Sequence, residues 1–155
     1  MKAEARFLRA YYYFLLFRQY GPVFIWGAHV RRDDRRQERR PPHRTAEHRL
    51  QVGELDAIKN DLPVRTDDIG IDGKQWAGRV TRGAALALKS RILLYAASPL
   101  YNGATLRRPD AEHSREFRLP ARAKNETKWE AAAQAAWDVI ELAETGLYDL
   151  YKDTE

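Results

Sequence analysis

The sequence predicts an all-α fold of tetratricopeptide-like helical hairpins with long connecting loops. Three observations carry the prediction. Apolar residues recur at i, i+3, i+4 and i+7 in four separate segments, and no segment alternates apolar and polar over a long span. Proline or glycine stands at the end of each periodic segment. The run Gly83-Ala-Ala-Leu-Ala87 is rich in small residues, which let a neighbouring helix approach closely, as stacked hairpins require.

Residues 2–20 form the first predicted helix. Ala3, Phe7, Tyr11 and Leu15 repeat every four residues, flanked by Leu8, Tyr12 and Leu16, and Gly21-Pro22 ends the pattern. The mid-helix cluster Tyr11-Tyr-Tyr-Phe14 is therefore assigned to the core rather than to a sugar-stacking platform. After the short apolar stretch Val23–Trp26, the chain turns dense in arginine. Residues 27–49 lose all periodicity and contain Pro41-Pro42, so they read as an anomalous Arg-rich loop or disordered segment. The abruptness of the switch also fits a shifted reading frame across this segment.

A second helix is expected over 50–62 from Leu50, Leu55, Ile58 and Leu62, stopped by Pro63. Asp67 to Gly73 is turn material. Thr81 is the expected N-cap of a third helix, 81–98, lined by Ala84, Ala85, Leu88, Ile92 and Tyr95 and broken at Pro99. The fourth, 127–145, opens on the capping-box pattern Thr127-Lys-Trp-Glu130. Its expected inner face is Trp129, Ala133, Ala136, Val139, Ile140 and Ala143, with Gly146 as the terminating glycine. Between the last two helices, residues 99–126 form a polar connection longer than a simple link, which marks a displayed or inserted loop.

Composition narrows the function classes. A chain of 155 residues fits one domain able to bury roughly two-thirds of the surface of its unfolded form. The net charge of +5 comes from 27 basic and 22 acidic residues, of which eight arginines and four acids lie in 31–49, leaving 19 and 18 elsewhere. The basic character belongs to one acid-interrupted segment without interleaved aromatics, which argues against a nucleic-acid partner. There is no cysteine, hence neither a disulfide nor a thiolate nucleophile. His29, His43, His48 and His113 show no metal-ligand spacing, and Asp67, Asp68 and Asp72 lack the order of a calcium loop. Ser90, Ser98 and Ser114 stand in no nucleophile elbow. No catalytic residue, metal or cofactor is assigned.

Five motifs in order add a family reading: Glu4-Ala-Arg-Phe-Leu-Arg-Ala10, Tyr20-Gly-Pro22, Leu62-Pro63, Gly78-Arg-Val-Thr81 and Leu94-Tyr-Ala-Ala-Ser-Pro99. As a set they resemble the SusD/RagB family of outer-membrane nutrient-binding lipoproteins. The resemblance implies a non-catalytic protein on the surface of a Bacteroidetes-type cell. It would capture an oligosaccharide, or in some members a peptide, as partner of a SusC-like TonB-dependent transporter. It also implies that this chain is an internal fragment, without the signal and anchoring cysteine of the full-length parent at the outer membrane. The alternative is a generic helical-repeat protein-interaction module.

Within this reading the candidate glycan contacts are Trp76, Tyr101 and Asn102. Each lies at or near a loop on a rigid scaffold, where an aromatic face stacks on a sugar ring and an amide bonds its hydroxyls.

Overall fold

The computed structural model describes residues 1–21, 49–66, 78–103 and 124–148. Four helices make up the fold: α1 (Lys2–Tyr20), α2 (Arg49–Ile58), α3 (Arg82–Ala97) and α4 (Thr127–Leu142), the last continued by one wide π turn, Ala143–Leu147. No strand occurs among the described residues, and the all-α expectation holds. The Arg-rich segment, apart from its last residue, lies outside the described residues, as do Asp67 to Gly73 and the four histidines.

Each helix ends for a local reason. Gly21 at φ 78° donates its N–H to the Phe17 carbonyl at 2.8 Å and turns the chain out of α1, a conformation that costs glycine nothing. The expected second helix is shorter than 50–62. Regular helix stops at Ile58, and turns ahead of Pro63 carry Leu62 back into the core. Thr81 caps α3 as expected, its Oγ1 accepting from Ala84 N at 3.3 Å.

The start of α4 departs from the capping box. Asn125 supplies the cap, its Oδ1 accepting from Thr127 N at 3.0 Å and from the Thr127 hydroxyl at 2.7 Å. Thr127 therefore donates its hydroxyl instead of accepting with it. Asn is as good a capping acceptor as Thr, and placing it two residues earlier brings the threonine into the first turn.

The core is a cluster of Ala10, Phe14 and Phe17 from α1, Leu55, Ile58 and Leu62 from α2 and the turn after it, and Ala85, Leu88 and Ile92 from α3. Partly buried Tyr95 packs against this cluster and meets Phe14 edge to face, ring centroids 5.3 Å apart. Among the described residues helix α4 packs on α3, through buried Ala132 and Ala135, and touches neither α1 nor α2. The helices α1, α2 and α3 thus form a mutually packed cluster, to which α4 is added on the side of α3.

Two expected faces rotate. On α1 the core stripe is Phe7, Ala10, Phe14 and Phe17, while Leu8, Tyr11, Tyr12 and Leu16 are exposed, Tyr12 at 61%. On α4 the expected inner face turns outward at Trp129, Ala133, Ala136 and Ile140, and Trp137 is 56% exposed beside them. Both helices are apolar over more than one side, so periodicity alone does not say which side meets the neighbour. Close packing decides in favour of alanines for α4, because they let its axis approach α3.

Candidate functional site

Sequence spacing scatters the three candidate contacts; the fold brings two of them to one corner where α3 ends. Trp76 lies outside the described residues. Tyr101 lies over Phe17, ring centroids 4.5 Å apart, and donates its hydroxyl to the Phe17 carbonyl at 3.3 Å. Burial pushes its phenol pKa up, with a smaller contribution from Tyr95. One turn earlier, Ser98 donates to the Tyr95 carbonyl at 2.6 Å and closes the helix.

Asn102 is 4% exposed, and its amide is fully engaged. Nδ2 donates to the Asn125 carbonyl at 2.8 Å and to the Ala97 carbonyl at 3.4 Å, and Oδ1 accepts from Asn125 N at 2.8 Å. Beside it Gly103 sits at φ 93°, and a Cβ there would come within 3.1 Å of Lys124 Cα. Only glycine lets the two backbones approach this closely. The corner therefore holds Gly103 and Lys124, the residues on either side of the long connection, at adjacent points. The Asn102 amide serves this corner and offers no free edge to a ligand.

A seam of ion pairs fixes the rest of the scaffold. Arg79 forks onto Glu4, Nε to Oε1 at 2.6 Å and Nη2 to Oε2 at 2.5 Å. That bidentate pair joins α1 to the segment leading into α3 and holds the Glu4 carboxyl below its ordinary value of 4.5, against partial burial. Glu54 on α2 receives Arg6 at 2.9 Å and Arg9 at 2.6 Å from α1. The Arg6 bond first, then burial opposing it and Arg9 assisting, leave the Glu54 carboxyl below its ordinary value. Lys89 on α3 reaches Asp56 on α2 at 2.9 Å and Asp138 on α4 at 3.8 Å, linking three helices. Burial would raise the Asp56 carboxyl, but Lys89 and Lys59 outweigh it and hold it lower than usual.

Among the described residues no three His, Cys, Asp or Glu side chains cluster to hold a metal ion. Sequence reasoning missed the clamp role of Asn102 and the outward faces of α1 and α4. The Leu8, Tyr12, Leu16, Tyr20 spacing is visible in the sequence, but a helix with two apolar sides does not declare which one is free.

No protein-family profile matches the chain, and no curated protein matches it. Solved structures do. The chain is similar to BT4246 of Bacteroides thetaiotaomicron, with 32% identity over 97% of this chain and 25% of that one, at a TM-score of 0.72. Its selenomethionine form matches at 31% identity over 97% of this chain and 24% of that one, at a TM-score of 0.69. The chain thus spans about a quarter of the length of the structures it matches.

Proposed function

We propose that this chain is a scaffold segment of a SusD/RagB-type surface lipoprotein, which captures an oligosaccharide without catalysis for a SusC-like TonB-dependent transporter in the outer membrane. One observation carries the reading. The family-like motifs, far apart in sequence, are the residues that hold the fold together: Glu4 of the first motif grips Arg79 of the fourth, and Tyr95 of the last packs on Phe14. The similarity to a Bacteroides thetaiotaomicron structure over nearly the whole chain supports the same source class.

In this reading the described helices position ligand-binding parts more than they form them. Asn102 and Tyr101 hold the corner at which the long connection starts. Trp76 keeps its proposed role as a glycan-stacking aromatic.

The test is co-purification from the native cell envelope, paired with glycan-array binding by the protein as encoded in that cell. Recovery with a TonB-dependent transporter and saturable oligosaccharide binding are expected. Fractionation away from the envelope, with no transporter and no glycan bound, would refute the reading. It would favour the helical-repeat interaction module, to which the exposed apolar faces of α1 and α4 also point.

A further inference from the structure

The chain holds three asparagines, and only Asn102 is followed by glycine; Asn60 precedes Asp61 and Asn125 precedes Glu126. Asparagine is among the thermally labile side chains, because the backbone nitrogen of the next residue can attack its amide carbon. Glycine, without a Cβ, hinders that approach least. Packing at the corner leaves no alternative to it. Gly103 sits at φ 93°, and a Cβ there would stand 3.0 Å from Lys124 Cβ and 3.1 Å from its Cα. The fold thus requires the most permissive neighbour beside the amide on which its corner depends.

The closed corner withholds what the attack needs. Departure as ammonia requires a proton on Nδ2, yet Nδ2 faces the Asn125 and Ala97 carbonyls, which have none to give. Oδ1 is held by Asn125 N, so Cγ cannot leave the plane of its amide without breaking these bonds. At 4% exposure the residue is also shut off from water.

We propose that Asn102 is a site of spontaneous deamidation gated by this corner. When the corner opens, Gly103 N forms a bond to Asn102 Cγ and the Cγ–Nδ2 bond breaks. The Gly103 N–H proton, relayed by water, leaves with the amide nitrogen as ammonia. Water then opens the cyclic imide at either carbonyl, giving aspartate or isoaspartate at position 102, with no electrons gained or lost. Neither product fits back. Aspartate sets a carboxylate against two carbonyl oxygens, and isoaspartate adds a methylene to the main chain, which moves Gly103 off Lys124. Opening is reversible before this step and irreversible after it, so the corner persists by a rate. The step uses only this chain and water, and is independent of any transported ligand.

Peptide mass spectrometry of the protein kept folded in buffer, and of the same protein unfolded in urea at the same neutral pH, tests it. The unfolded chain should gain the mass of an NH-to-oxygen exchange at Asn102, while Asn60 and Asn125 keep their amides over the same period. The folded protein should convert more slowly by about tenfold or more, the factor that opening the two Asn125 bonds imposes. Gly103→Ala, measured in urea where its effect on folding is irrelevant, should lose most of the conversion. Converted protein, separated by its added negative charge, should unfold at a lower urea concentration than unconverted protein. Equal rates in the folded and unfolded chain would overturn the proposal. So would conversion at Asn102 no faster than at Asn60, Gly103→Ala converting as fast as wild type, or a converted protein with an unchanged midpoint.

Discussion

Asn102 and Asn125 bond each other in both directions: the Asn102 amide donates to the Asn125 carbonyl and accepts from the Asn125 N–H, each at 2.8 Å. A side chain thereby does what a strand neighbour does elsewhere, satisfying a backbone donor and acceptor at once. Asn102→Ala removes both bonds from a partly buried corner, at a cost of about 0.5–1.5 kcal/mol each. Asn102→Asp keeps the acceptor but sets an ionised carboxylate against the Asn125 and Ala97 carbonyls at a 4% exposed position, and should fall below alanine at neutral pH. Urea unfolding midpoints at constant slope give the ranking, and equal midpoints for all three would contradict the clamp.

Gly83 makes room for Tyr148. A Cβ at position 83 would stand 3.1 Å from the Tyr148 ring, whose hydroxyl donates to the Val64 carbonyl and ties the end of the π turn to the segment after α2. Replacing a helical glycine with alanine ordinarily stabilises by about 0.5–1 kcal/mol. Gly83→Ala should forfeit that gain, and Gly83→Ala in a Tyr148→Ala background should recover it. Thermal or urea denaturation of the four proteins closes the cycle. An equal gain in both backgrounds would mean that the tyrosine does not constrain the site.

Stability should fall in acid. Glu4, Glu54 and Asp56 all have folded-state carboxyl values below their ordinary 4.5, 4.5 and 3.8. A lowered value means that the unfolded chain binds protons first. The contribution is therefore complete above the ordinary values and is lost as pH drops through the lower folded ones. Unfolding midpoints measured from neutral pH down to pH ~3 should decline through that acid window, where carboxylates titrate. Glu4→Gln should flatten part of the decline. An unchanged slope in Glu4→Gln would place the acid sensitivity elsewhere.

Gln51 is 2% exposed, and neither Oε1 nor Nε2 finds a hydrogen-bond partner among the described residues. It stands one turn before Leu55 on the core side of α2. A methionine of similar shape removes two desolvated polar atoms, and Gln51→Met should stabilise by about 1–3 kcal/mol. A shift of the urea midpoint to lower concentration would show that the amide is satisfied and needed.

The helices were legible because their signals are local. Thr81 and Gly21 act through their own turns, and Leu55, Ile58 and Leu62 have one apolar side and therefore one possible inward direction. The orientation of α1 and α4 was not legible. Tyr11 and Tyr12 carry aromatic rings as Phe14 does, and the choice between them depends on where the sequence-distant α2 and α3 arrive. Trp129 and Ala132 show the same contest, and the smaller residue wins because it shortens the distance to α3. At the candidate site, the loop position of Tyr101 and Asn102 could be read from Pro99 and Gly103. Their engagement by Phe17 and Asn125 depends on partners 84 and 23 residues distant.

The clamp at Asn102, Gly103 and Lys124 separates the design of the scaffold from the design of the connection it closes. With the two ends fixed side by side, lengthening the connection adds only a slowly growing entropy of closure, about 0.6 kcal/mol for each doubling. For the clamp itself, the length of the chain that joins its two ends is therefore a minor variable. The part to preserve, in an evolving lineage or in an engineer's hands, is the Asn102–Asn125 pair, because those bonds rather than the intervening length keep α3 and α4 in register.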